Sequence, residues 1–133
     1  MGSNQGFSLL EVLIVLGIVG IPSIIAYPAW SRYLVKTKRL EAQLALLDTA
    51  QRMEQYAIEN SGQYTNATFA KLGLTDKTER GWYKLRITQA EPAQYTLSAT
   101  PTFHDPTCQQ LIFNQLGEKR SEGTGTLTDC WQY

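Results

Sequence analysis

From Phe7 to Trp30 the chain is apolar at nearly every position, and Glu11 is the only charged side chain in the stretch. Val12 to Ala29 carries no ionisable side chain except the phenol of Tyr27. At 1.5 Å per residue a helix over that run reaches about 27 Å, and adding Phe7 to Leu10 takes it past the thickness of a bilayer core. The pattern predicts a membrane-spanning helix over residues 7–30. Pro22 and Pro28 each remove a backbone donor, so the carbonyls of Ile18 and Ile24 lose their helical partners. A kink or a locally melted stretch is expected around them.

Beyond Trp30 the pattern becomes periodic. Ser31 to Asn60 holds no Gly or Pro. Leu40, Leu44, Leu47 and Ala50 share one face, widened by Leu46, Met53 and Ala57, while Arg39, Glu41, Arg52, Glu54 and Glu59 decorate the remainder. One long helix over residues 7–60 is predicted, roughly 80 Å if unbroken, with its leucine face toward the core of a head formed by residues 61–133. Asn60-Ser61-Gly62 ends it, with Gly62 as a left-handed cap.

Gln63 to Gly81 reads as a connecting loop with one apolar patch, Phe69 to Leu74. Asn66-Ala67-Thr68 within it matches a glycosylation sequon, a pattern short enough to recur by chance. Strict alternation follows. Tyr83, Leu85 and Ile87 face one way and Lys84, Arg86 and Thr88 the other; Tyr95, Leu97 and Ala99 repeat the pattern after a turn at Glu91-Pro92-Ala93. Leu111-Ile112-Phe113 predicts a third strand. Asn114 to Arg120 turns around Gly117, Gly123-Thr124-Gly125 is a flexible point, and Thr126 to Trp131 is a short last strand. A helix against three or four antiparallel strands is an α+β fold.

Composition narrows the chemistry. The 133 residues hold 12 Lys+Arg and 12 Asp+Glu, a formal charge of zero, which argues against a strongly basic nucleic-acid binder. Cys108 and Cys130 are the two cysteines. An extracytoplasmic disulfide is the simplest reading, worth about 3 kcal/mol for a loop of this size; two buried free thiols are the alternative. No cysteine or histidine spacing suits a metal, and Asp105 with Asp129 offers too few oxygens for calcium. His104 lies on a proline-bounded loop without a nucleophile context. With no phosphate loop, dinucleotide fingerprint or nucleophile elbow, neither an enzyme nor a cofactor is expected.

Glu11 carries the most information. A carboxylate at the centre of a membrane helix costs about 2.5–3.5 kcal/mol on insertion scales, so something must satisfy it. The small residue Gly6 stands before the apolar run, whereas a secretory signal is cut after it. A cut between Gly6 and Phe7 would keep the helix and create an amine at Phe7, one helical turn from Glu11. An amine with pKa near 8 and a carboxylate near 4 are both charged at neutral pH, and each offsets the burial of the other.

Gly6-Phe7-Ser8-Leu9-Leu10-Glu11 resembles the class III prepilin motif of the type IV pilin family. The likeness continues through Gly20, Ala26, Pro28, Ala29, Trp30 (often Tyr in pilins) and Tyr33. Glu54-x-Tyr56 with Gly62-x-Tyr64 resembles the pilin helix-to-loop junction. Cys108, Leu111 to Asn114, Gly117, Lys119 and Asp129-Cys130-Trp131 resemble the tail of minor pilins and DNA-uptake pilins. Two departures stand out. Pro22 is unusual in such a helix, and residues 1–6 lack the basic side chains usual in prepilin leaders, so the leader is expected to be incomplete or altered. Arg32, Lys36, Lys38 and Arg39 follow the span and by charge alone would hold the C-terminal part in the cytoplasm; the resemblance and the cysteines point outward.

The resemblance implies the type IV pilin fold, a leader over residues 1–6 and processing at Gly6 and Phe7 by a prepilin peptidase, with methylation of Phe7. It implies assembly through Phe7 and Glu11, the Glu11 of one subunit neutralising the Phe7 amine of a neighbour. It also implies a Cys108–Cys130 disulfide bounding the tail. The expected route runs from a single-pass state in the bacterial inner membrane, head in the periplasm, to an extracellular pilus. Expected partners are membrane lipid, the inner-membrane assembly machinery and other pilin subunits. A structural minor pilin is the leading expectation, serving adhesion, twitching motility or DNA uptake. One alternative is a receptor pilin binding DNA or another ligand through Lys84, Arg86, Lys119 and Arg120 beside Trp82 and Trp131; against it stands an ordinary solvated strand face diluted by Glu118 and Glu122. Another is a type II secretion pseudopilin.

Overall fold

The computed structural model describes Gly2 and residues 5–132. Of the expected leader, residues 1, 3 and 4 lie outside the described residues. Helix α1 spans Leu9–Glu59. Its start is fixed by Ser8, whose Oγ accepts the Glu11 amide at 3.2 Å, as an N-cap does. Its end is fixed at Gly62, which adopts φ 78° and donates its amide to the Ala57 carbonyl at 2.7 Å.

The expected melting around Pro22 to Pro28 does not occur: both prolines sit inside the continuous helix. Each ring removes only one amide from the ladder, and its fixed φ is compatible with a helix. Local side chains add bonds there, the Ser23 hydroxyl to the Val19 carbonyl at 2.8 Å and Arg32 Nε to the Pro28 carbonyl at 3.3 Å.

The chain divides into two compact units, Met1–Lys36 and Thr37–Tyr133. In the first, every residue from Gln5 to Leu34 is exposed. An 18-residue window of mean hydropathy 2.5 lies in this helix with none of it buried. By length and composition it can cross a membrane.

The second unit is the head. Strands β1 (Tyr83–Ala90), β2 (Tyr95–Pro101), β3 (Gln110–Asn114) and β4 (Lys119–Glu122) form an antiparallel meander in that order. Tyr83, Leu85, Tyr95, Leu97, Ala99, Leu111 and Phe113 alternate inward, as the two-residue period predicts, onto Ala42, Leu46, Ala50 and Met53 of α1. Residues 63–81 cover this core with Ala67 and Leu72 and tie to β1 through the Asp76 carbonyl, which accepts the Leu85 amide at 2.7 Å.

The tail departs from expectation. Thr126 to Trp131 is not a strand: Leu127–Cys130 is a short helix, α2. Thr126 and Asp129 form a reciprocal capping box, which turns this segment into a helical turn. The fourth strand comes instead from Lys119–Glu122, within and just beyond the segment expected to be turn. Nor is Gly123 to Gly125 a loose point. A Cβ at Gly123 would stand 2.4 Å from the Thr107 carbonyl oxygen, and the amides of Thr124 and Gly125 bond to the carbonyls of Pro106 and Thr107. These glycines permit two backbones to touch.

Candidate functional sites

Only part of the expected stripe of α1 faces the core: Leu46, Ala50, Met53 and Ala57 are buried and Leu40 is half-buried. Leu44 and Leu47 are 58 and 42 % exposed, and the buried face is Arg39, Ala42, Gln43, Leu46, Thr49, Ala50, Met53 and Ala57. Arg39 and Gln43 are buried here because the surface opposite them is polar, while the Thr49 hydroxyl turns back to the Ala45 carbonyl at 2.7 Å. Arg39 meets Asp105 in a two-pronged ion pair, Nε to Oδ2 at 2.8 Å and Nη2 to Oδ1 at 2.7 Å, and reaches the Asp129 carbonyl at 3.2 Å. The hydrogen bonds that Arg39 donates to Asp105 raise its pKa against the opposing effect of burial. Gln43 donates to the Cys130 carbonyl at 2.8 Å and accepts the Gln132 amide at 3.3 Å.

These bonds clamp the tail to the helix, and the disulfide closes it. Cys108 and Cys130 are bonded, with Cα atoms 5.6 Å apart, so the free-thiol alternative is set aside. Asp105, weighed from sequence as a calcium ligand, is committed to Arg39 and to the Cys108 amide, while Asp129 caps α2. Sequence reasoning missed this clamp. Arg39 looked like helix decoration, and its partner is 66 residues away.

Processing and assembly residues lie at the start of the first unit. Phe7 is 82 % exposed, Gly6 and Glu11 are exposed, and no described side chain approaches the Glu11 carboxylate. The bond at this end holds the Glu11 main chain to Ser8.

The basic residues named as a candidate DNA set do not all gather. Lys84 and Arg86 stand on the outer face of β1, away from the core. Register carries Arg86 to Ser98, Ser98 to Ile112, and Ile112 to Arg120 in one row across four strands. At about 4.8 Å per strand the two arginines are roughly 14 Å apart, close to the width of a DNA major groove. Lys119, next along β4, turns to the opposite face, where its ammonium sits 5.6 Å from the Trp131 ring centroid. Trp131 is only 6 % exposed, packs on Phe113, and donates its indole N–H to the Arg120 carbonyl at 2.8 Å. It is a core residue with little ring surface left for a base. Trp82 joins Lys38, Arg80 and Phe103 instead. His104 is exposed, and no cluster of metal-binding side chains occurs among the described residues.

An apolar helix exposed along its first half, with a small disulfide-locked meander packed on its second half, defines a pilin-like subunit. Residues 1–27 match the prokaryotic N-terminal methylation motif. Residues 28–112 match the family described as type IV minor pilin ComP, DNA uptake sequence receptor, and the chain belongs to that family. It is 35 % identical over 79 residues to Fimbrial protein Q of Moraxella bovis, covering 56 % of this chain and 50 % of that protein. It is 42 % identical over 52 residues to the Type IV major alpha-pilin of the same organism, covering 38 % of this chain and 33 % of that one. The chain thus spans half or less of the length of the curated relatives it matches. The crystal structure of the Neisseria meningitidis non-core minor pilin PilV matches with a TM-score of 0.51 at 24 % identity, over 68 % of this chain and 92 % of that one. That likeness shows the fold, and family and fold alike are structural in kind.

Proposed function

We propose that this chain is a minor subunit of a type IV pilus, held in the inner membrane by residues 7–30 and moved into a filament after a cut between Gly6 and Phe7. The observation that carries this reading is the first unit of α1. It is apolar and exposed throughout, with one carboxylate at Glu11 that no described residue neutralises. Exchange of lipid for neighbouring helices replaces one apolar surrounding with another, while Glu11 gains the Phe7 amine of another subunit. The exposed Leu44 and Leu47 extend the contact surface along the head part of the helix. Prepilin peptidase, the assembly machinery and other pilins are the partners this route requires, with the head in the periplasm beforehand.

The test is Glu11→Val in cells that assemble filaments. The processed chain should still begin at Phe7 by mass spectrometry, and its content in sheared filaments should fall at least about tenfold, as loss of one member of a buried charge pair entails. Undiminished incorporation, or a chain that keeps residues 1–6, defeats the proposal.

A second reading, a DNA receptor within the same subunit, is favoured by the family match and by the row from Arg86 to Arg120, with Lys84 beside it. Charge reversal at Arg86 and Arg120 should weaken duplex binding by the purified chain and lower its salt slope by about 0.9 for each phosphate no longer neutralised. Lys119→Glu, on the other face, should change it far less. Equal effects from both would remove the outer sheet face as the contact surface.

A further inference from the structure

Lys38, Arg80, Trp82 and Phe103 form a cation–aromatic cluster at one place on the head. The Lys38 ammonium lies 4.5 Å from the Phe103 centroid and 5.1 Å from that of Trp82, and the Arg80 guanidinium carbon lies 5.0 Å from the Trp82 ring. Both rings are half-buried and Arg80 is exposed. The cluster is built on a cross-linked frame. The Thr102 amide donates to the Trp82 carbonyl and its hydroxyl to the Gly81 carbonyl, each at 2.8 Å. The Arg80 amide donates to Glu41 at 3.2 Å.

Neither cation has an ion-pair partner among the described residues. Two positive groups on one indole repel each other, and ring faces offset only part of that charge. The cluster is therefore short of an anion. Glu41 and the exposed Glu79 are the neighbouring acids along the chain, and Glu41 directs an oxygen to main chain.

Lys38 is the second residue of the head unit. It follows Trp30, the end of the apolar run, by eight residues in the sequence. Trp30 stacks with Tyr33 at 6.0 Å in the first unit, an aromatic pair of the kind that marks a membrane–water boundary. Basic side chains just beyond a span are drawn to anionic lipid.

We propose that the Lys38–Arg80–Trp82–Phe103 cluster binds the phosphate of an anionic phospholipid headgroup while the chain resides in the membrane. The proposal rests on the reading that residues 7–30 span a bilayer, and its test separates the two. The three tryptophan indole N–H signals of the full chain are followed by NMR in lipid nanodiscs, with phosphatidylglycerol spin-labelled at the headgroup. Trp30 should broaden, Trp82 should broaden, and the buried Trp131 should not. Replacement of the anionic lipid by spin-labelled phosphatidylcholine should leave Trp30 broadened and largely release Trp82. Lys38→Gln and Arg80→Gln should each lower the Trp82 effect about fivefold, with an unshifted Trp131 signal reporting an intact head. An unbroadened Trp30 defeats the membrane reading. A broadened Trp30 with an unaffected Trp82 defeats the headgroup site alone, as does Trp82 broadening that is equal in both lipids or indifferent to both substitutions.

Discussion

One helix serves two opposite designs. Along its first unit the side chains are apolar and exposed, and the single acid, Glu11, has no ion-pair partner among the described residues. Along the head, α1 buries an arginine, a glutamine and a threonine while leaving Leu44 and Leu47 outside. The difference shows that burial is decided by what lies opposite, not by hydropathy. The tail presents Asp105 and the carbonyls of Asp129 and Cys130, so the helix must answer with donors.

Breaking the clamp should strike the head hardest. Arg39→Ala leaves Asp105 buried and uncompensated, and urea unfolding of the head should show a loss of about 3–5 kcal/mol. Paired replacement of Cys108 and Cys130 by serine should cost about 3 kcal/mol in the same assay by freeing the tail in the unfolded chain. The two faces of α1 can be set against each other directly: Leu46→Ala should cost about 2–5 kcal/mol and Leu44→Ala within about 0.5 kcal/mol. If the exposed leucine proves the costlier, the assignment of faces is wrong. Thr126→Ala should remove about 1 kcal/mol with the cap of α2.

Alkaline pH probes the buried phenols of the head. Burial raises the phenol pKa values of Tyr83 and Tyr95, and burial with the Glu54 hydrogen bond raises that of Tyr64. The fold therefore favours the protonated phenols. Their contribution to stability is whole below the ordinary phenol pKa near 10 and declines as pH rises beyond it. Tyrosinate absorbance should lag that of the urea-unfolded chain; coincident titration would contradict the burial.

Legibility followed the range of the signal. The six residues Gly6 to Glu11 form a contiguous pattern, and Tyr83-x-Leu85-x-Ile87 announces its strand by a two-residue period. Both are local and both could be read. Arg39 could not be paired from sequence because its partner depends on how the chain returns past the helix. The leucines at positions 44 and 47 mislead because hydropathy alone does not set which way a helical side chain faces. Helix α2 and strand β4 are too short for periodicity, and their placement depends on the Thr126 cap and on the backbone contact at Gly123. Lys119 and Arg120 were grouped as neighbours in sequence, but consecutive strand residues look opposite ways.

The two bends of the tail differ in what they tolerate. At Gly123 the main chain presses on Pro106 and Thr107, so any graft there would pry the disulfide-bounded segment apart. Around Gly117 a Cβ meets nothing within 4 Å, and the adjoining Leu116 is 72 % exposed. That hairpin tip is the natural place to splice an epitope or fluorophore and watch a living fibre grow.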